Sequence, residues 1–161
     1  MRTSRPLGAL IGTLLAAIAL TGCQPVVSLD PAADAADPGC ADVVVRLPDA
    51  LDGLPRRDTD AQATAAWGSP PAVLVLCGVE VPSASSYTCI DVDGVWWLRN
   101  AEQEPTVTFR LYGREPAIDV VVDTDEASAA SVLTALADAV ATTQPNGHRC
   151  VDAEDSLSVG S

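Results

Sequence analysis

The sequence predicts an α+β fold: a two-layer sandwich with a mostly antiparallel sheet of about five or six strands and two helices, clamped by two disulfides. Three observations carry this. Residues 106–112 alternate cleanly between apolar and polar, the signature of a strand with one buried face. Residues 132–140 repeat their apolar side chains at helical spacing. Four cysteines follow Cys23, an even number that suits two bridges.

The elements follow in chain order. Arg2 and Arg5 open the chain, and an apolar run from Leu7 to Leu20 leads into Leu20-Thr21-Gly22-Cys23. This reads as a lipoprotein signal over residues 1–22 with the lipid on Cys23. The run is too short to cross about 30 Å of hydrocarbon at 1.5 Å per residue. Residues 23–39 hold Cys23, three prolines and three aspartates without a periodic apolar face, and read as a flexible acidic tether. A single domain is expected over 40–150. Val43 to Leu47 is β-rich and stops at Pro48; Asp58-Thr59-Asp60 offers caps for a short helix through Trp67, ended by Gly68 and by Pro70-Pro71. Ala72 to Val79 is an unbroken apolar run, as in a central strand. Asp93-Gly94 between Cys89–Val92 and Val95–Leu98 signals a hairpin. Thr106 to Tyr112 and then Ile118 to Val122 are strands joined through Gly113-Arg114-Glu115-Pro116. The last helix starts near Asp123, with Glu126 three residues on, and runs to Gln144 ahead of Pro145. Residues 151–161 are an acidic, serine-rich, disordered tail.

Charge narrows the function. The chain has 22 acidic residues, all after Cys23, against nine arginines and no lysine, for a net charge of −13. Removing Arg2 and Arg5 with the leader takes this to −15. Such a body is repelled by nucleic-acid phosphates and anionic headgroups, so nucleic-acid binding is excluded. In an exported protein Cys40, Cys77, Cys89 and Cys150 should be oxidised. Three pairings are open; the favoured one joins Cys77 to Cys89, a local loop, and Cys40 to Cys150, the ends of the domain. No CxxC spacing occurs and His148 is the only histidine, so neither metal nor cofactor is expected.

Four short motifs add a resemblance: Trp67-Gly68-Ser69-Pro70-Pro71, Leu76-Cys77-Gly78-Val79, Gly94-Val95-Trp96-Trp97 and Tyr112-Gly113-Arg114-Glu115-Pro116. Over about residues 40–143 the chain resembles an actinobacterial family of exported proteins and lipoproteins called domain of unknown function 3515. Trp97 matches the family tryptophan, and Trp96 is an addition. The resemblance implies an exported or lipid-anchored envelope protein, and it supplies no catalytic residues.

The candidate sites are few. His148 lies in a turn beside Cys150, and no G-x-S-x-G surrounds a serine, so no nucleophilic triad is indicated. Asp91/Asp93 and Asp123/Asp125/Glu126 fit turn and capping roles and do not follow a calcium-loop order. Adjacent strand residues face opposite ways, so only one of Trp96 and Trp97 readily enters the core. Trp67 and Trp97 are assigned to packing, and Trp96 to contact with a partner. Arg57 and Arg114 are the guanidinium candidates for a carboxylate or phosphate. The expectation is a membrane-anchored envelope lipoprotein that binds another envelope component, a protein in the first instance, without catalysis. A binder of carbohydrate or muropeptide wall fragments is the alternative, and a hydrolase using carboxylates such as Asp91, Asp93, Asp119 and Glu115 is the second.

Overall fold

The computed structural model describes residues 25–82 and 87–150. Cys23, the expected leader and the acidic tail lie outside them. Ten strands and two helices follow in the order α1 (Pro38–Val44), β1 (Ala50–Leu51), β2 (Leu54–Arg57), β3 (Thr64–Trp67), β4 (Val73–Val79), β5 (Thr88–Val92), β6 (Val95–Gln103), β7 (Thr106–Tyr112), β8 (Arg114–Glu115), β9 (Ala117–Asp123), α2 (Ala129–Val140) and β10 (Gln144–Pro145). Eight of the strands form one sheet, ordered β1-β2-β3-β4-β9-β7-β6-β5, and β10 pairs with β8 in a small separate sheet. All its ladder pairs are antiparallel. The α+β, two-helix, antiparallel expectation holds, while the sheet is larger than five or six strands. The extra strands, β1 to β3, come from a stretch that reads poorly as strand because it is rich in Ala and Asp.

One face of the sheet carries the core. Trp97 pairs with Leu111, Phe109 with Val120, Val107 with Val122 and Cys77 with Ile118, and all of these side chains are buried. Both helices cover this face, α1 with Cys40 and Val43, and α2 with Val132, Leu133, Leu136, Ala139 and Val140. Each fully buried Val or Leu here contributes about 1.5–3 kcal/mol relative to exposure. The opposite face carries Trp96 and Tyr112, directly paired, and the row Leu98, Arg110, Asp119 and Leu76. Arg110 grips Asp119 through two hydrogen bonds of 2.7 Å. That carboxylate holds the guanidinium above its ordinary pKa.

Several sequence readings change. Residues 43 and 44 belong to a helix rather than a strand, because Asp37 caps it through the Gly39 N–H (2.7 Å) and Pro38 occupies its first turn. Burial of Cys40 and Val43, three apart on one face, then outweighs the β preference of valine. Residues 64–67 are a buried strand rather than the end of a helix, since pairing with β4 overrides the helical preference of Ala65 and Ala66. Gly68 still stops the element, now at φ +94°, with Ser69-Pro70-Pro71 turning into β4. The final helix is capped by Ser128 instead of Asp123 and ends at Val140. Asp123 instead holds a turn, accepting from the Asp125 N–H (3.1 Å).

The expected free tether is, from residue 25 on, laid against the domain. Val27 forms a parallel bridge to Thr59, the Asp34 N–H donates to Gly78 O (3.0 Å), and Ala35 is buried. Gly78 is required for this approach: at φ +86°, its missing Cβ is replaced by the backbone of Asp34.

The disulfide pairing also differs. The bonds are Cys40–Cys77 and Cys89–Cys150, with Cα atoms 5.6 and 5.9 Å apart. The expected Cys77–Cys89 bond is impossible for two reasons. Strands β4 and β5 are separated by β9, β7 and β6, about 19 Å at roughly 4.8 Å per strand. Cys77 also points to the core face, whereas Cys89, opposite Leu98, points to the other. The same argument separates Cys40, on α1 against the core face, from Cys150 on the other face.

Candidate functional site

The β5–β6 hairpin forms as the Asp93-Gly94 signal predicts, with φ +53° and +78° at its two central residues. It fixes the register that sends Trp97 into the core and Trp96 to the opposite face. Trp97 is fully buried, and its indole Nε1 has no partner among the described residues. Trp67 is equally buried, donates its Nε1 to Pro48 O (3.0 Å), and carries the Arg56 guanidinium 5.8 Å above its ring.

Trp96 stays half-buried and lies beside Tyr112 on β7. After Tyr112 the chain turns at Gly113 (φ +79°), and β8 receives β10 from the end of α2. From there residues 144–150 form a strap that returns across the tryptophan face to Cys150 and its bond with Cys89. The Asn146 N–H donates to Gly113 O (3.0 Å), and the His148 ring sits 5.8 Å from that of Tyr112 at 49°. A Cβ on Gly113 would collide with the His148 carbonyl, so the strap closes only over glycine.

Between hairpin and strap lies a cleft of about 290 Å³, lined by Gly94, Trp96, Tyr112, Gly113, Arg114, Pro145, Gly147, His148 and Arg149. It contains two arginines, the histidine and two aromatic rings, and no carboxylate. The neighbouring concavities differ: one is lined by Asp34, Asp37 and Glu115, another by Asp37, Asp42 and Glu115.

The two arginines of the cleft have different duties. Arg114 donates Nε to Thr143 Oγ1 (3.0 Å) and its terminal nitrogen to the carbonyls of Ala141 (2.8 Å) and Thr143. It thereby satisfies acceptors left open at the C-terminal end of α2, where a cation is also favoured by the helix dipole. Arg149 is exposed and makes no hydrogen bond or ion pair with the described residues. The other five described arginines are all engaged. Arg57 is only 8% exposed, donating to Gly68 O (2.7 Å) and Pro25 O (2.6 Å), and Arg56 donates to Leu47 O (3.2 Å). Arg46 pairs with Asp42, Arg99 with Glu104 and Arg110 with Asp119.

Of the residues singled out from sequence, Trp96 and Arg114 meet in this cleft, while Arg57 is a structural clip on β2, towards the opposite end of the sheet. Tyr112, His148 and Arg149 also line it, and sequence reasoning does not single them out for contact. Their only sequence signal was the proximity of His148 and Arg149 to Cys150, which acquires meaning once Cys150 is joined to β5. Three of the four carboxylates considered for catalysis are occupied on separate elements: Asp91 accepts from the Gly94 N–H (3.1 Å), Asp119 holds Arg110, and Glu115 accepts from the Asn146 amide (3.2 Å), while Asp93 is a central residue of the hairpin turn. Among the described residues, no three His, Cys, Asp or Glu side chains are grouped to hold a metal ion, and no helix is long and apolar enough to cross a membrane.

Comparison with known families finds a match to a model described as "Protein of unknown function (DUF3515)", over residues 6–148. No curated protein and no solved structure matches the chain.

Proposed function

The chain belongs to the DUF3515 family, described only as proteins of unknown function, and from that premise we propose that it is a lipid-anchored envelope protein that works by binding rather than by catalysis. The observation that carries the binding role is the Trp96 cleft: a concave, partly aromatic site walled by a disulfide-tied strap. Support for the setting comes from the two disulfides, which persist in oxidising, extracytoplasmic compartments. Support for the anchor comes from Leu20-Thr21-Gly22-Cys23 behind a short apolar run.

Anchoring at Cys23 would hold the body close to the bilayer. Pro25, two positions on, is already docked on Arg57, so no long coil separates lipid from domain. Metabolic labelling with an alkynyl fatty acid tests the proposal. The wild-type chain should take up label and sediment with membranes, and Cys23→Ala should lose the label and appear in the soluble extracytoplasmic fraction. Equal membrane association of the two would remove the anchor from the account. A concave site of this size favours a small ligand or a protruding chain end over a flat protein surface, which moves weight from the protein-partner expectation toward wall fragments.

A further inference from the structure

We propose that the Trp96 cleft binds an anionic sugar, with the ring lying against the Trp96 indole and its carboxylate held by Arg149. This deepens the binding reading above and rests on it. Three observations converge. The first is charge: in a chain of net charge −13, the wall of this cleft includes Arg114, His148 and Arg149, and its nearest carboxylates, Asp91 and Glu115, stand at the rim, bonded to Gly94 and Asn146. Anions are repelled by most of this acidic surface, whereas the charge lining this wall is that of two guanidinium groups.

The second is the state of Arg149. The other arginines of the described residues are spent on carbonyls or carboxylates, and this one has its donors unused among those residues. A guanidinium with free donors matches the two oxygens of a carboxylate in a planar fork. Arg114 adds charge from behind without giving up the end of α2.

The third is the shape of the aromatic wall. Trp96 is half-buried beside Tyr112, and Gly94 and Gly147 line the same cleft with open space where a side chain would stand. A sugar ring offers a face of C–H bonds that packs on the electron-rich face of an indole, while its hydroxyls remain in water. The volume of about 290 Å³ suits one ring rather than an extended chain.

Titration of the purified full-length protein tests this through tryptophan emission. Trp67 and Trp97 are fully buried, so Trp96 is the reporter. N-acetylmuramic acid, a sugar bearing a carboxylate, should change the emission saturably in the millimolar range or below. N-acetylglucosamine, which lacks the carboxylate, should bind about tenfold more weakly or worse, the worth of one charge-assisted contact. Arg149→Gln, on an exposed side chain, should erase the difference between the two sugars while leaving the fold intact by circular dichroism. Trp96→Phe should weaken both. A flat titration with both sugars, equal binding of the two, or inorganic phosphate binding as tightly as the acid sugar would each overturn the proposal. These outcomes are independent of the labelling experiment: a released Cys23→Ala with a flat titration removes the ligand and keeps the anchor, and the converse keeps the ligand and removes the anchor.

Discussion

Trp67 and Trp97 show how two equally buried residues of one type come to have different worth. Both lie fully inside, yet among the described residues only Trp67 gives its indole N–H a partner, the Pro48 carbonyl at 3.0 Å. Replacing either by Phe removes similar apolar bulk. Trp67→Phe also discards a hydrogen bond, whereas Trp97→Phe removes a donor that is costly to bury unpaired. Trp67→Phe should therefore be the more destabilising by about 1 kcal/mol or more in urea unfolding. Equal losses would mean that the Trp97 N–H finds water or another acceptor. The arginines teach the same lesson. Arg57 and Arg114 looked like anion grips in sequence, and backbone carbonyls at element ends claim them. No pattern in sequence distinguishes these cases, because the acceptors lie 11 to 32 residues away.

Among elements, the two disulfides act differently although their loops are comparable. Separations of 37 and 61 residues each correspond to about 4 kcal/mol of loop entropy. Access separates them. Cys40 and Cys77 are fully buried between α1 and β4, while Cys89 and Cys150 are half-buried at the edge strand and the strap. Graded reduction followed by alkylation and peptide mapping should modify Cys89 and Cys150 first, with Cys40 and Cys77 protected until global unfolding. Early alkylation of Cys40 would refute this order. The strap that this bond ties down carries His148 and Arg149, so the Cys89→Ser/Cys150→Ser pair should loosen the cleft wall without dissolving the core.

At the scale of the whole molecule, both ends of the described chain are drawn onto the sheet. The C-terminal strap crosses one edge, and residues 25–37 run over the other. That N-terminal segment hangs partly on Asp60, whose carboxylate accepts from the Leu29 N–H (2.9 Å) and the Ser28 hydroxyl (2.8 Å). These bonds, the Leu29 one foremost, hold its pKa below the ordinary 3.8. A depressed carboxylate contributes above its unfolded value and ceases to contribute as pH falls through the folded one. The docking of residues 27–29 should therefore weaken as pH drops below about 4. Hydrogen exchange at the Leu29 amide should accelerate there relative to core amides, after correction for the intrinsic pH dependence of exchange, and Asp60→Asn should show the fast behaviour already at pH 7. An unchanged ratio between Leu29 and core amides would sink the idea. Because Pro25 belongs to the same segment, this clip also governs how closely a lipid at Cys23 would hold the body.

What the sequence determined by itself was local: the alternation of β7, the Asp93-Gly94 hairpin, the apolar run of β4, the amphipathic spacing of α2, and the oxidised state expected of four cysteines. Each of these is written within a dozen residues, where side-chain period and turn chemistry suffice. The tertiary structure decided everything that depends on distant neighbours. It made Val43 helical and Trp67 extended, because burial against β4 outweighs propensity. It set the cysteine partners, because strand order and side-chain face determine which sulfurs can meet. It assembled the cleft from a hairpin and a strap some fifty residues apart, with Trp96 and Arg149 at its two walls. Such a site has no contiguous motif. It exists only once β9 inserts between β4 and β7 and the chain end is carried back over the sheet.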